Sequence, residues 1–293
     1  MTSILASDEL GPQGRRRVRI ATVVSALVLG AFVAVALIRL GQQGQLEPEL
    51  YTDLFQAAVW RRLLTALVKY NLSVALLAMA LSLTIGLGLA LGRLSRSAWV
   101  YRPLGAFVEF FRAVPVLLFI FLANFGLPQY GIDLGTFGFV VVALTAYHSS
   151  VLAEIYRAGI LSLGRGQSEA ALSLGMSYWQ SMFLVVLPQA VRRMLPAIVS
   201  QLVTLIKDTT LAFIIGFSEM LREGTRIAEF LNNRLQTLLL VALIFIAVNY
   251  ALSRFATWLE RRQRRRYGGA VTPAPGTLED PALLDQPEVA TVR

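Results

Sequence analysis

Long runs of apolar residues, separated by short polar segments, make up most of the chain. An α-helix of about 20 apolar residues crosses the roughly 30 Å hydrocarbon core of a bilayer. Runs of this length lie at 20–40, 63–92, 104–127, 137–160, 195–217 and 237–259. The pattern therefore predicts an all-α polytopic membrane protein with about six transmembrane helices.

The two ends of the chain differ from its apolar middle. Residues 1–19 are polar and end in a cluster of arginines, which predicts a basic tail before the first span. The run 20–40 is longer than the 7–15 apolar residues of a signal peptide and no small-residue cleavage site follows it, so we expect a retained helix. Residues 260–293 start as a basic segment and continue as a Pro/Gly/acidic tail, for which we expect disorder.

Composition supports the membrane interpretation and excludes several classes of site. The chain is 56% hydrophobic and 15% charged, whereas soluble domains contain about 25% charged residues. The absence of Cys excludes disulfides, iron–sulfur clusters and a cysteine nucleophile, and a single His excludes a multi-histidine metal centre. The sequence contains no G-x-x-x-x-G-K-[ST] phosphate loop. We therefore assign no catalytic residue, metal site or bound cofactor to this chain.

Basic residues are distributed unevenly between alternate loops. The two tails, the loop after 63–92 and the segment 161–193 together hold about three times as many Lys and Arg as the loops between them. Cytoplasmic loops carry this excess, so both termini and the segment 161–193 are predicted to be cytoplasmic. The net charge of +9 is consistent with this topology, and nucleic-acid binding is the weaker interpretation because the arginines flank apolar runs.

The segment 161–193 is typical of two short helices joined at a glycine. Gly175 follows a run of good helix formers, so we expect the helix to end there with Gly175 at positive φ. Ser177 and Gln180 form a capping-box pattern that starts a second helix, and Pro188 is expected to end it. The small side chains beside Glu169 form a surface on which another protein can dock closely.

A family resemblance is carried by these residues. The segment resembles the EAA loop of ATP-binding-cassette (ABC) importer permeases. The matching residues are Glu169-Ala170-Ala171, then Gly175 after three residues, and Val185-Val186-Leu187-Pro188 after nine more. Residues 109–115 (EFFRAVP), 153–159 (AEIYRAG), 165–171 (RGQSEAA) and 205–209 (LIKDT) resemble the polar amino-acid branch of that family, the glutamate/glutamine/histidine type. The resemblance covers most of 63–259 and is greatest to glutamate-importing permeases.

The resemblance implies a type I ABC importer core of five helices at 63–259, preceded by an extra transmembrane helix at 20–40. It implies that the loop 161–193 couples to a separate ABC ATPase subunit, which holds ATP and Mg. It also implies a second permease subunit, identical or related, an extracytoplasmic amino-acid-binding protein, and a place in the bacterial plasma (inner) membrane. The implied coupling residues are Gln167, Glu169, Ala170, Ala171, Gly175, Leu187 and Pro188.

Polar residues within the spans are candidates for the substrate pathway, because an ionisable group at membrane depth is costly. His148 and Lys207 lie about 17 Å into their predicted spans, near the midplane. An amino-acid substrate requires a cation or donors for its carboxylate and an anion for its ammonium group. The candidates are His148, Glu154, Lys207, Asp208 and Thr209.

Structural alternatives apply to several of these groups. Glu109 with Arg112, and Glu154 with Arg157, are three residues apart and can form ion pairs on one helix face. His148 can be a buried, hydrogen-bonded residue. Lys207 and Asp208 are adjacent, so they point about 100° apart and cannot neutralise each other within the helix.

Other functions remain open at the level of sequence. An ion-gradient-driven secondary transporter is the main alternative, although the charged motifs show no internal repeat. A membrane-embedded enzyme requires converging catalytic groups that the sequence does not suggest, and a scaffold role would not depend on Lys207 or Asp208. The arginine clusters beside the spans either bind membrane lipids with anionic headgroups or only fix topology.

Overall fold

A computed structural model describes residues 11–267, and the elements in this range are helical. In chain order they are α1 (Pro12–Gln42), α2 (Glu49–Thr52), α3 (Ala57–Arg93), α4 (Ala98–Ala113), α5 (Val116–Tyr130), α6 (Gly135–Leu161), α7 (Arg165–Ser173), α8 (Tyr178–Ile215), α9 (Met220–Leu231) and α10 (Arg234–Tyr267). A short 3-10 turn, Asp53–Phe55, follows α2.

The predicted all-α membrane fold is confirmed. Within the described residues, five helices are long and apolar enough to cross a bilayer, namely α1, α3, α6, α8 and α10. The pair α4 and α5 passes the same test only together and is bent by 97°, so the total is six if the pair is counted as one broken span. The predicted span at 104–127 contains two helices, because Pro115 holds the preceding Val114 in an extended conformation (φ −85°, ψ 131°).

A second correction concerns Pro188, which does not end its helix. The helix α8 starts at Tyr178 and continues through Pro188 to Ile215. A π-helical turn, Ser181–Val186, comes first, and Pro188 then occupies the first turn of the regular α-helical part. Proline is tolerated at that position because its fixed φ suits the helix and its missing N–H removes no established hydrogen bond. The helix that contains the fifth span therefore starts well before residue 195.

Helix ends extend beyond several other predicted bounds. The first helix begins at Pro12 rather than at residue 20, and its basic turn is helical. The last helix continues to Tyr267, through part of the segment 260–293, because Arg is a good helix former. The expected disorder at 268–293 and the tail at 1–10 lie outside the described residues.

The contacts divide the chain into two units. One unit comprises the residues up to Leu64 together with Glu223–Ala242, and the other comprises Thr65–Arg222 and the residues from Leu243 onward. In the first unit, the side-chain amides of Asn233 and Gln236 donate to the backbone carbonyls of Leu50 (3.1 Å) and Gln45 (2.7 Å). These bonds fix the linker after α1 to the start of α10.

The second unit is built around α6, which packs against the part of α3 that follows Thr65. Gly86 permits the closest approach, because a Cβ atom there would lie 2.9 Å from the carbonyl oxygen of Ser149. Small residues at such crossings allow helix backbones to approach in a membrane protein. The buried core around this crossing includes Ala78, Leu144, Leu152 and Ala153.

Candidate functional site

The segment that follows α6 folds as the predicted helix–turn–helix. Gly175 has φ +82°, and its N–H donates to the carbonyl of Leu172 at 2.9 Å. The N–H of Ser177 donates to Oε1 of Gln180 (2.8 Å), and the N–H of Gln180 donates to Oγ of Ser177 (3.3 Å). Both predicted features, the left-handed glycine and the capping box, are confirmed.

This helix–turn–helix exposes several large apolar side chains. Leu174 is 82% exposed, Trp179 is 55% exposed and Leu172 is 44% exposed. The ring of Trp179 stacks on that of Phe183, with centroids 5.8 Å apart. Contiguous exposed apolar side chains of this kind mark an interaction surface. We call residues 165–184 the docking segment.

The predicted coupling residues fall into two structural groups. Glu169, Ala170 and Gly175 are exposed, whereas Ala171 is buried against the helix that follows. The side-chain amide of Gln189 donates to Oε1 of Gln167 at 3.1 Å, which joins α7 to α8. Leu187 is half-buried and Pro188 is exposed, both at the base of α8. The docking segment is thus connected to the long helix α8 by covalent continuity and by a side-chain bond.

A buried polar group lies at mid-depth of the helix bundle. His148 is the middle residue of α6, and its side chain is fully buried. Its Nδ1 lies 2.6 Å from Nε2 of Gln201, and its Nε2 lies 3.2 Å from Oδ2 of Asp208. The amide of Gln201 can donate to Nδ1, which assigns the ring proton to Nε2; Nε2 is close to the carboxylate but forms no hydrogen bond of good geometry among the described residues. The structure therefore brings together two of the predicted substrate-pathway residues as partners of each other.

Sequence reasoning missed Gln201, although a signal was present. Gln201 precedes Asp208 by seven residues, which places both side chains on one face of α8. A lone amide at this spacing from an intramembrane carboxylate indicates a shared polar partner on a neighbouring helix.

Lys207 is separate from that group. Its side chain is exposed and lines a groove between α8 and α10, whereas Asp208 contacts His148. The predicted divergence of the two adjacent side chains is confirmed.

Thr209 belongs to a second buried network that the sequence analysis did not identify. Asn71 donates through Nδ2 to Oγ1 of Thr209 (2.9 Å) and to Oε2 of Glu219 (3.3 Å). The carboxylate of Glu219 also accepts the N–H groups of Leu221 (2.8 Å) and Arg222 (2.7 Å) at the start of α9. Asn71, Thr209 and Glu219 are all fully buried. Asn71 in the middle of an apolar run was the available signal.

The same network joins irregular parts of three helices. Asn71 lies in a π-helical turn of α3, Leu67–Leu72. Thr209 begins the 3-10 turn that ends α8, and Glu219 directly precedes α9. Helix irregularities release backbone groups and often occur at functional positions.

Glu154 lies elsewhere, six residues and about 9 Å along α6 from His148. Its carboxylate pairs with Arg93 at 2.5 Å, with Nε of Arg157 at 3.1 Å and with Arg112 at 3.7 Å. The predicted Glu154–Arg157 pair is confirmed. Arg112 contacts Glu154 from another helix, and among the described residues it forms no ion pair with Glu109, contrary to the anticipated pairing.

Comparison with known proteins gives a consistent family. Residues 82–265 match the model of the binding-protein-dependent transport system inner membrane component. The chain is 39% identical over 228 residues to a glutamate transport system permease of Corynebacterium glutamicum, covering 77% of this chain and 84% of that protein. It is 40% identical over 200 residues to a probable glutamine ABC transporter permease of Bacillus subtilis, covering 66% and 90%.

Solved structures agree with this assignment. An amino acid ABC transporter crystallised with histidines shares 28% identity and a TM-score of 0.67, with 72% of this chain and 98% of that chain covered. The inward-facing MetNI methionine ABC transporter, at 19% identity and a TM-score of 0.58, shares the fold and covers 70% of this chain and 99% of that chain. The chain therefore belongs to the family of inner-membrane components of binding-protein-dependent transport systems.

Proposed function

We propose that this chain is the permease subunit of an ATP-driven importer of polar amino acids, with glutamate or a close relative as substrate. The similar permeases named above are described as glutamate and glutamine transport subunits, which supports this substrate class. In this proposal the chain forms the translocation pathway and hydrolyses no ATP itself.

The observation that carries the coupling role is the exposed docking segment with Gly175 at its turn. Its exposed apolar side chains support contact with a protein partner. The partner is a separate ATPase subunit that binds ATP and Mg. Glu169, Ala170 and Gly175 contact that subunit, while Gln167, Ala171, Leu187 and Pro188 hold the segment on α8. A movement of the ATPase is thereby transmitted into a membrane helix.

The pathway lies near the midplane of the bilayer. His148, Asp208 and Gln201 form a buried connection between α6 and α8, so these two helices move together when the pathway changes access. Lys207 remains free of this connection. The full pathway requires a second permease subunit, identical or related, and an extracytoplasmic binding protein that delivers the amino acid.

The proposal includes an orientation in the plasma membrane. Both termini and the docking segment lie in the cytoplasm, because the loops on that side carry the excess of Lys and Arg. The core at 63–259 then forms the permease domain, and α1 is an additional span with its apolar sides in lipid.

The decisive experiment is purification of the chain from its native membrane with the proteins that remain bound to it. The complex is reconstituted, and its ATPase activity is measured with the binding protein loaded with each of several amino acids. We expect stimulation by glutamate or a related polar amino acid and uptake that requires ATP. Absence of a bound ATPase, together with uptake that follows an ion gradient, would replace this proposal with a secondary transporter.

A further inference from the structure

A polar groove of about 350 Å³ lies between α8 and the second half of α10. Ser200, Thr204 and Lys207 recur at positions i, i+4 and i+7, so they form one stripe along α8. Ser253 and Thr257, four residues apart, form a facing stripe on α10. The groove thus combines one cation with four hydroxyl groups.

The groove extends from the middle of the second unit toward the end of the α10 span. Asp208, next to Lys207, contacts His148, which is the middle residue of a membrane span. Lys207 lies beside that position at one end of the groove, whereas Thr257 at the other end directly precedes Trp258, the last residue of the α10 span. An exposed lysine at this depth faces a water-filled cavity or another subunit, because contact with lipid tails is costly.

The hydrogen bonds within each helix determine what the groove offers to a ligand. The hydroxyl of Thr204 donates to the carbonyl of Ser200 (3.3 Å), and that of Thr257 donates to the carbonyl of Ser253 (2.9 Å). Since these protons are used within the helices, the hydroxyl oxygens keep lone pairs for a ligand donor. Lys207 supplies donors and positive charge. The groove therefore suits a carboxylate at Lys207 with an ammonium group beside it.

The other charged candidates are already occupied by protein partners. Glu154 is surrounded by three arginines, and Asp208 faces the imidazole of His148. Among the residues that the structure describes, Lys207 is the ionisable pathway candidate that lines a groove without an ion-pair partner.

We propose that this groove is a binding site for the carboxylate of the transported amino acid, with Lys207 as the recognising cation and the hydroxyl oxygens as acceptors for the ammonium group. This inference rests on the proposed import function and adds the residues that bind the substrate.

Charge-selective labelling tests the site directly, because the chain contains no cysteine. Thr204→Cys and Ser253→Cys are each introduced with Lys207 retained, and the reconstituted complex is treated with anionic and cationic methanethiosulfonate reagents. The rates are normalised to those of a free thiol in water. We expect an anion preference of about tenfold, which a nearby positive charge produces in a partly aqueous site. Free glutamate should slow the labelling, and Lys207→Met should remove the preference.

Phe255→Cys provides the matched control, since Phe255 is exposed on the opposite side of α10 from Ser253. It should react slowly with both charged reagents. If the groove cysteines are equally unreactive, the groove faces lipid and the proposal is wrong. Rapid labelling without charge preference or protection by glutamate also overturns it.

Uptake measurements separate this inference from the function on which it rests. Lys207→Met should raise the KM for uptake by at least about tenfold, whereas Lys207→Arg should retain most transport because the charge is kept. The control is Lys69→Met, the other lysine of the chain, which lies beside Tyr70 outside the groove. If the unmodified complex imports an amino acid but Lys207→Met has an unchanged KM, only the groove assignment fails. If the unmodified complex shows no ATP-driven uptake, the proposed function itself fails.

Discussion

The imidazole of His148 lies 3.2 Å from the carboxylate of Asp208, across the contact between α6 and α8. Nε2 of Gln201 lies 2.6 Å from the other ring nitrogen, Nδ1, so both nitrogens of this fully buried histidine face polar groups. His148 and Asp208 come from two different spans and are 60 positions apart in the chain. Their contact joins the two spans at mid-depth.

Replacement of His148 should therefore affect assembly before it affects substrate affinity. His148→Leu leaves the buried side of Asp208 and the amide of Gln201 without their partner, at a cost of about 1–3 kcal/mol. We expect a lower melting temperature of the purified complex and less complex in the membrane. His148→Gln, which keeps hydrogen-bonding groups, should restore most of the stability. An increase in KM for His148→Gln without loss of stability would instead indicate direct substrate contact.

The turn at Gly175 should be sensitive to a side chain for conformational reasons. A Cβ atom there meets nothing within 4 Å, so space is not the constraint. Its φ of +82° costs a β-branched residue about 1–2 kcal/mol. We expect Gly175→Val to insert into the membrane normally but to lose stimulated ATPase activity and uptake.

Gly164→Val is the matched control for this prediction. Gly164 also has open space around it, but its φ of −58° is accessible to valine. This variant should retain most uptake. Normal uptake by Gly175→Val would argue against a coupling role for the docking segment.

The Asn71 network should stabilise the junction of α3, α8 and α9. Asn71→Leu removes the donor to Thr209 and Glu219 and the acceptor for the N–H of Met220. Loss of such buried bonds costs about 1–3 kcal/mol for each group left unsatisfied. We expect a clear fall in melting temperature and faster proteolysis near residues 209–220. Val68→Leu, at an exposed position in the same turn, should leave both measurements unchanged.

The crossing of α3 and α6 provides a packing prediction with an internal control. At Gly86 a Cβ atom would lie 2.9 Å from the carbonyl of Ser149 and 3.0 Å from Cβ of Leu152, whereas at Gly88 it meets nothing within 4 Å. Gly86→Val should force the backbones apart and destabilise the protein by about 1–3 kcal/mol. Gly88→Val on the same helix should have little effect. Equal melting temperatures for the two variants would contradict the crossing described above.

The docking segment was the part of the site most readable from sequence. Gly175 and the capping box of Ser177 with Gln180 depend on local conformation, and local rules were sufficient to predict them. Pro188 was misjudged because it follows the π-helical turn Ser181–Val186 and occupies the first regular α-helical turn, where proline is tolerated. The bend at Pro115 was missed although proline was visible, since an apolar run alone does not reveal a change of direction.

The amino-acid sequence by itself determined the class of protein, the number of spans and the family, because apolar length and short motifs are local properties. Only the tertiary structure decided which polar residues meet. It paired His148 with Asp208, added Arg93 and Arg112 to the predicted Glu154–Arg157 pair, placed Glu219 with Asn71, and left Lys207 in a groove with hydroxyl groups from another helix. These partners are distant in the chain, and the rotation and register of packed helices determine which side chains face one another.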